Sequence, residues 1–254
     1  MARVAAGGEG AEPVRRLGTV GSTNAVAAEA AAAGEAGPVW FVAERQTAGR
    51  GRRGRAWVSE AGNLYASCLF RTPADPAGLS VLPLAAAVAL GEALGDGAGL
   101  GARVRLKWPN DVLVDGAKVA GILLEARHGA GEGMVALIAG FGVNCASAPA
   151  DAPYRVASLS ERGAPRSPEA VLSALVPAFA AWRGRPFAAG GIAAVREAWL
   201  ARAIGLGEPI LVRQADGEAA GTFAGLDEGG RLVLEGADGT RRRFAAGDVF
   251  EMTA

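Results

Sequence analysis

One run of nine residues, Gly49-Arg50-Gly51-Arg52-Arg53-Gly54-Arg55-Ala56-Trp57, restricts this chain more than any other stretch. Glycine at every second or third place lets the backbone reach positive φ and approach a ligand closely, and each guanidinium offers planar paired donors to phosphate or carboxylate oxygens. The run reads as a mobile anion clamp. Its letters also satisfy G-x-G-x-x-G, the dinucleotide fingerprint, and a strand candidate, Val39 to Glu44, precedes it. The fingerprint requires a helix opening at the third glycine, however, and Ala56 to Phe70 is broken by Gly62-Asn63 before continuing as a strand, Leu64 to Phe70. The clamp is therefore a loop between two strands, and the dinucleotide fold is excluded.

A basic run can also be a nucleic-acid patch, which calls for a broad positive field. The chain has 26 basic and 26 acidic residues, a formal net charge of zero and a pI near 6.6. The charge balance argues against a polyanion partner and for a local site.

Upstream of the clamp, residues 1–13 read as a frayed tail, and Val14 to Leu17 as a short strand. Ser22 or Thr23 is placed to cap an Ala-rich helix reaching about Ala33, ended by Gly34, Gly37 and Pro38. Capping does not preclude ligand contact, because a helix N-terminus also attracts anions. Downstream, Leu79 to Leu94 is an apolar helix for the core. Val104, Leu106 and Trp108 alternate with Arg103, Arg105 and Lys107, the period of a half-buried strand. Pro109-Asn110-Asp111 interrupts it, Val112 to Val114 resumes, and Asp115-Gly116 turns the chain into a returning strand from Lys118 to Glu125. The strand Met134 to Asn144 carries Gly140 and Gly142, so something packs where its side chains are missing. A helix from Ser167-Pro168-Glu169 to Trp182, bent by Pro177, and another from Ile192 to Ala203 follow. From Gly205 onward the texture changes to short strands between Asp216-Gly217, Gly229-Gly230 and Asp238-Gly239, a small β-barrel. The organisation expected is α/β: a tail over 1–13, a mixed α/β domain over 14–204 and a β domain over 205–254.

Two cysteines, Cys68 and Cys145, lie inside apolar runs and make neither a disulfide framework nor a metal pattern. His128 is the sole histidine and sits in a Gly-rich turn, so histidine triads and histidine-ligated metals lack material. The N-terminus has no apolar segment of signal-peptide length, and no window reaches ~18 continuous apolar residues, which points to a cytoplasmic protein without a membrane partner.

Three polar clusters remain for one site: the Arg/Gly loop, Lys107-Trp108-Pro109-Asn110-Asp111, and Lys118 with the Ala-Gly-Ile-Leu after it. An enzyme that activates a carboxylate with ATP needs cations along the carboxylate and α-phosphate, and a group that sets magnesium on the phosphates. Arginine, lysine and aspartate supply these without histidine, so the residues alone reach as far as adenylate formation.

GRGRRGRAW, KWPNDV, KVAGILLE and GFGVN, in that order and spacing and with GSTN upstream, resemble the catalytic domain of the biotin protein ligases, and the β-rich end resembles that family's SH3-like C-terminal domain. The resemblance covers about residues 14 to 254. It implies the α/β fold of class II aminoacyl-tRNA synthetases, a mixed sheet with flanking helices. It implies an enzyme that joins biotin to ATP as biotinyl-5'-AMP and passes biotin to one lysine of a biotin carboxyl carrier protein. By the same resemblance, Ser22, Thr23 and Gln46 hold the biotin ureido ring, with Asn24 beside them, and Arg50, Gly51 and Arg52 line the loop that closes over the adenylate. Lys118 touches the biotin carboxyl oxygen and the phosphate. Trp57 lies near the adenine, while Asn110, Asp111, Arg53, Arg55, Lys107 and Asn144 serve the nucleotide and the Mg2+ it carries, with no protein-held metal. Gly121, Gly140 and Gly142 leave room for the ligand. The catalytic residues implied are Lys118, Arg52 and Asp111.

Many members begin with a helix-turn-helix domain and bind an operator. Only about 13 low-complexity residues precede the first strand here, so a ligase that binds no DNA is expected. A homodimer stays open. Two rival readings remain: a lipoate or octanoate ligase or transferase of the same fold, not expected to carry GRGRRG together with Ser22-Thr23-Asn24, and a nucleic-acid-binding module, against the charge balance.

Overall fold

A computed structural model describes residues 3–5, 12–96, 99–127, 131–152, 154–214 and 217–251. The turn containing His128 and the Asp216 half of the Asp216-Gly217 turn lie outside these residues.

The main sheet contains β1 (Arg3–Ala5), β2 (Val14–Val20), β3 (Val39–Gln46), β4 (Leu64–Pro73), β5 (Val104–Lys107), β6 (Asp111–Val114), β7 (Ala117–Arg127) and β8 (Met134–Val143). Their spatial order is β1-β2-β3-β4-β8-β7-β6-β5. β2 and β3 run parallel and the other neighbours antiparallel, so the sheet is mixed as expected. The β6–β7 turn has Asp115 at φ 49° and Gly116 at φ 72°, the two positive values that a tight two-residue hairpin needs. Residues 1–13, expected to be a frayed tail, instead include a strand: Arg3–Ala5 pairs antiparallel with Val14–Arg16 and covers the outer edge of β2, which would otherwise present unpaired backbone groups.

Strand alternation sends side chains to two layers. On one face Val39, Phe41, Leu69 and Ile138 meet α1 (Thr23–Ala32) through Ala27. On the other, Trp40, Phe70 and Phe141 surround Phe179 of α3 (Pro168–Arg183), with ring centroids 5.2–5.9 Å apart and steep interplanar angles that suit edge-on packing. α2 (Pro76–Gly95) is capped by Asp75, whose carboxylate accepts from the Ala77 and Gly78 amides at 3.1 Å. It is long and apolar enough to cross a membrane, but most of its surface is spent inside the protein against α3, α4 (Gly191–Leu200) and the sheet.

The last strands, β9 (Pro209–Gln214), β10 (Gly217–Leu226), β11 (Leu232–Glu235), β12 (Arg241–Phe244) and β13 (Asp248–Glu251), make a separate antiparallel sheet in the order β12-β11-β10-β9-β13. It is docked on the first sheet's helices and on the KWPND segment. Trp199 of α4 meets Phe223 edge-on at 6.4 Å, and Trp108 Nε1 donates to the Gly230 carbonyl at 3.1 Å.

Candidate active site

A cleft of about 860 Å³ runs from the start of α1, past the Arg/Gly loop and the β5–β7 hairpins, to the second sheet. Its wall begins at Ser22, the residue before α1. Ser22 has extended backbone angles but its side chain makes no capping hydrogen bond, so the expected cap is absent. The adjacent polar side chains are held by one another. The Thr23 amide and hydroxyl both donate to Gln46 Oε1, at 2.8 and 3.1 Å, and Gln46 Nε2 donates to Ser59 Oγ at 2.9 Å. Ser67 Oγ lies 2.7 Å from Thr23 Oγ1 and 2.6 Å from Asn24 Oδ1, while Asn24 Nδ2 donates to Glu125 Oε2 at 2.8 Å. Thr23, Asn24 and Ser67 are buried, so these partners fix which way each amide points. The result is a preset array of donors and acceptors beside an uncommitted hydroxyl.

The Arg/Gly loop folds back on itself. Arg50 bridges Ala56, the Trp57 amide donates to the Gly49 carbonyl at 2.9 Å, and the Gly51 amide to Arg55 at 2.7 Å. The tip, Arg52–Gly54, is a single turn in which Arg53 (φ 55°) and Gly54 (φ 73°) are left-handed. The four arginines diverge. Arg50 lies 3.5 Å from Glu125, Arg52 Nη1 donates to Asn110 Oδ1 at 3.2 Å, and Arg53 and Arg55 both turn to Asp248 of β13. Burial, seconded by the charge of Arg53, lowers the pKa of the half-buried Arg52. A group so placed gains by meeting an anion. Burial opposes the charge of Asp248, but the hydrogen bond and charge of Arg55, with Arg53 and Arg52 behind it, hold that carboxylate below its ordinary pKa.

The hairpins supply the rest. Antiparallel pairing sets Lys107 opposite Asp111 and Asp111 opposite Gly121. Lys118 Nζ sits 2.8 Å from Asp111 Oδ1 and 5.5 and 5.2 Å from the ring centroids of Trp57 and Tyr154. Gly121 and Gly142 are register partners, and the indole of Trp57 lies on both: a Cβ on Gly142 would come within 2.6 Å of it, and one on Gly121 within 3.1 Å. At Gly140 a Cβ would fall 2.3 Å from Asn24 Oδ1. The room expected for ligand at these glycines is taken first by Trp57 and Asn24, which become cleft wall.

The cleft thus collects Ser22, Thr23, Asn24, Gln46, Arg50, Gly51, Arg52, Arg55, Trp57, Lys107, Asn110, Asp111, Lys118, Gly121, Gly140 and Gly142. Two candidates are not brought to its lining. Arg53 pairs with Asp248 without reaching the lining itself, and Asn144 is buried, its Nδ2 donating to the Ala157 carbonyl at 3.2 Å. Tyr154, Arg155, Arg213, Asp248 and Phe250 line the cleft without having been singled out, and Ser67 and Glu125 stand behind it. Ser67 had a signal, a hydroxyl in the apolar run Leu64–Phe70, and Glu125 ends KVAGILLE; Tyr154 and Asp248 had none nearby. Among the described residues no three His, Cys, Asp or Glu side chains gather to hold a metal.

A mixed sheet flanked by helices, with a polar pocket and convergent cations in one cleft, matches a known class: residues 22–144 fit the model of the Biotin/lipoate A/B protein ligase family. Residues 205–251 fit the Biotin protein ligase C terminal domain. The chain is 44% identical to the biotin--[acetyl-CoA-carboxylase] ligase of Paracoccus denitrificans, over 92% of this chain and 98% of that protein, and 32% identical to the ligase of that name from Mycobacterium tuberculosis, over 96% and 91%. Among solved structures it is similar to the biotin protein ligase from Aquifex aeolicus in complex with biotin and ATP, with TM-score 0.78 and 26% identity over 94% of this chain and 99% of that one. The chain belongs to the biotin protein ligase family.

Proposed function

We propose that this protein is an ATP-dependent ligase that converts biotin to biotinyl-5'-AMP and transfers the biotinyl group to a lysine of a biotin carboxyl carrier protein, the acceptor subunit or domain of a carboxylase such as acetyl-CoA carboxylase. The observation that carries it is the placing of Lys118 and Arg52 in the same cleft as the preset pocket of Thr23, Asn24 and Gln46. Fixed amides and hydroxyls suit a small neutral ring with donors and acceptors on its rim, as in the biotin ureido group. The two cations suit the carboxylate at the far end of such a ligand.

In the first step a biotin carboxylate oxygen attacks the α-phosphorus of ATP and pyrophosphate leaves. Lys118 moves from Asp111 to the reacting oxygens, where its ammonium offsets charge developing on the carboxyl and α-phosphate groups. Arg52 faces the same anion, and Arg50 and Gly51 close the loop above it. Lys107, Asn110, Arg55 and Trp57 are assigned to the nucleotide. Asn144 acts at one remove, by bracing the segment through Ala157. Mg2+ would arrive on the ATP phosphates as part of the substrate and offset their charge, and Asp111 is the cleft carboxylate that would meet it. In the second step the neutral amine of the acceptor lysine attacks the acyl carbon of the mixed anhydride, an amide forms, AMP leaves and the amine's proton passes to solvent. We place this activity in the cytoplasm.

The test is magnesium-dependent exchange of pyrophosphate into ATP, with biotin or lipoate as the acid. Exchange with biotin is expected; exchange with lipoate alone would overturn the reading in favour of a lipoate enzyme.

A further inference from the structure

The Arg/Gly loop springs from the first sheet, yet two of its arginines end on the second. Arg55 hydrogen-bonds the Asp248 carboxylate, and Arg53 Nη1 lies 3.5 Å from the same oxygen. Asp248 is firmly placed. It opens β13 in register with Arg213 of β9, whose guanidinium lies 4.7 Å from the Phe250 ring centroid. The preceding Gly247 passes so close to β9 and Trp108 that a Cβ there would fall 2.9 Å from Val212 and 3.7 Å from the indole. The start of β13 is therefore pressed against the KWPND segment, with its carboxylate facing the loop.

A second observation concerns the loop's tip. Arg53 is left-handed and is not glycine, a backbone state that lasts only where surrounding contacts impose it. Its side-chain contact is Asp248. Arg52, next to it, turns the other way, toward Asn110 in the cleft.

We propose that Asp248 is a positioning residue for adenylation: by drawing Arg53 and Arg55 to the second sheet it sets the loop tip so that Arg52 and Lys118 are the cations presented to the reacting oxygens. The inference rests on the reading of the cleft given above. Were the ion pair a mere exposed contact, its loss would do little, because such pairs contribute small amounts that salt screens.

The test uses the full chain with Asp248→Asn, Asp248→Glu and the exchanged pair Asp248→Arg with Arg55→Asp. Trypsin cleaves after arginine, so the rate of limited cleavage after Arg50, Arg52 and Arg53, the sites that every variant keeps, reads the order of the tip without any assay of activity. In Asp248→Asn that rate should rise about tenfold, and kcat for adenylate formation should fall about tenfold with the KM for ATP changed less than about threefold. Asp248→Glu, which keeps the charge, should recover most of both effects, and the exchanged pair should recover tip order. Cleavage and kcat within about twofold of the parent in Asp248→Asn would overturn the proposal. So would faster cleavage with unchanged kinetics, or an even loss of every parameter that Asp248→Glu fails to recover. If the parent shows no biotin-dependent exchange, the functional reading falls instead, and the cleavage rates still decide whether Asp248 orders the loop.

Discussion

Lys118 Nζ stands 2.8 Å from Asp111 Oδ1, across the hairpin formed by β6 and β7 and between the rings of Trp57 and Tyr154. The partnership aims the ammonium into the cleft. On the proposed function, an incoming carboxylate and phosphate replace Asp111 as its partners, which leaves little reorganisation for the reaction itself.

Removing that charge leaves the hairpin intact. Lys118→Ala should slow biotinyl-5'-AMP synthesis by about a hundredfold, the usual cost of losing one charged donor to the transition state. Thermal unfolding should change little by comparison. Single-turnover adenylate formation at the parental rate would show that Lys118 is only a strand charge.

Arg52 reaches the cleft from a loop tip and donates to Asn110 Oδ1 at 3.2 Å. On the proposed function its contact with the adenylate is charge-assisted and worth roughly 1.5–3 kcal/mol, so Arg52→Gly should release the intermediate about ten- to a hundredfold faster. Rapid filtration measures the escape, and a streptavidin blot should show biotin on lysines of an unrelated protein present in excess. Unchanged release with clean bystanders would remove Arg52 from the role of latch.

Much of this site was legible because its chemistry is written in short runs. GRGRRG had to be a loop, since Gly62-Asn63 breaks any helix after it, and Asp115-Gly116 had to be a hairpin turn, which brought Lys118 back beside Asp111. Relationships across sheets were not legible. Asp248 lies 193 residues from Arg55 and sits in a short strand that resembles its neighbours. Ser22 looked like a helix cap, but its side chain makes no capping hydrogen bond, and the first helical amide, that of Thr23, is tied to Gln46, a contact between segments that no local pattern encodes. The edge strand Arg3–Ala5 was hidden by low-complexity flanks.

The glycines at 121 and 142 can be tested by adding one methyl group. Gly142→Ala places a carbon 2.6 Å from the Trp57 indole in the present geometry, against 3.1 Å at Gly121. The indole must move in the first case and only settle in the second. Gly142→Ala should shift Trp57 off the sheet and raise the KM for ATP at least several-fold, while Gly121→Ala should do less; overpacking typically costs ~1–3 kcal/mol. Tryptophan fluorescence reports the displacement, and equal effects from both substitutions would contradict this account of the wall.

The Asp248–Arg55 contact has a defined pH dependence. Its carboxylate is held below the ordinary value of 3.8, so the folded state favours the charged form. The stability it contributes is present above about pH 4 and is lost as pH falls through the lowered pKa. The difference in unfolding midpoint between the parent and Asp248→Asn should accordingly be constant from pH 5 to 8 and shrink below about 4. A difference that persists undiminished near pH 2 would mean that charge at Asp248 is not what joins the sheets.

The central claim is that this chain attaches biotin to a carrier through an adenylate, and intact-mass analysis of the acceptor tests it most directly. The purified protein is mixed with Mg2+, ATP, biotin and a biotin carboxyl carrier domain, and with lipoate in place of biotin in a parallel reaction. The carrier should gain the mass of one biotinyl group on one lysine, only when ATP is present, and gain nothing from lipoate. An unmodified carrier in the biotin reaction, or a lipoyl adduct in the other, would contradict it.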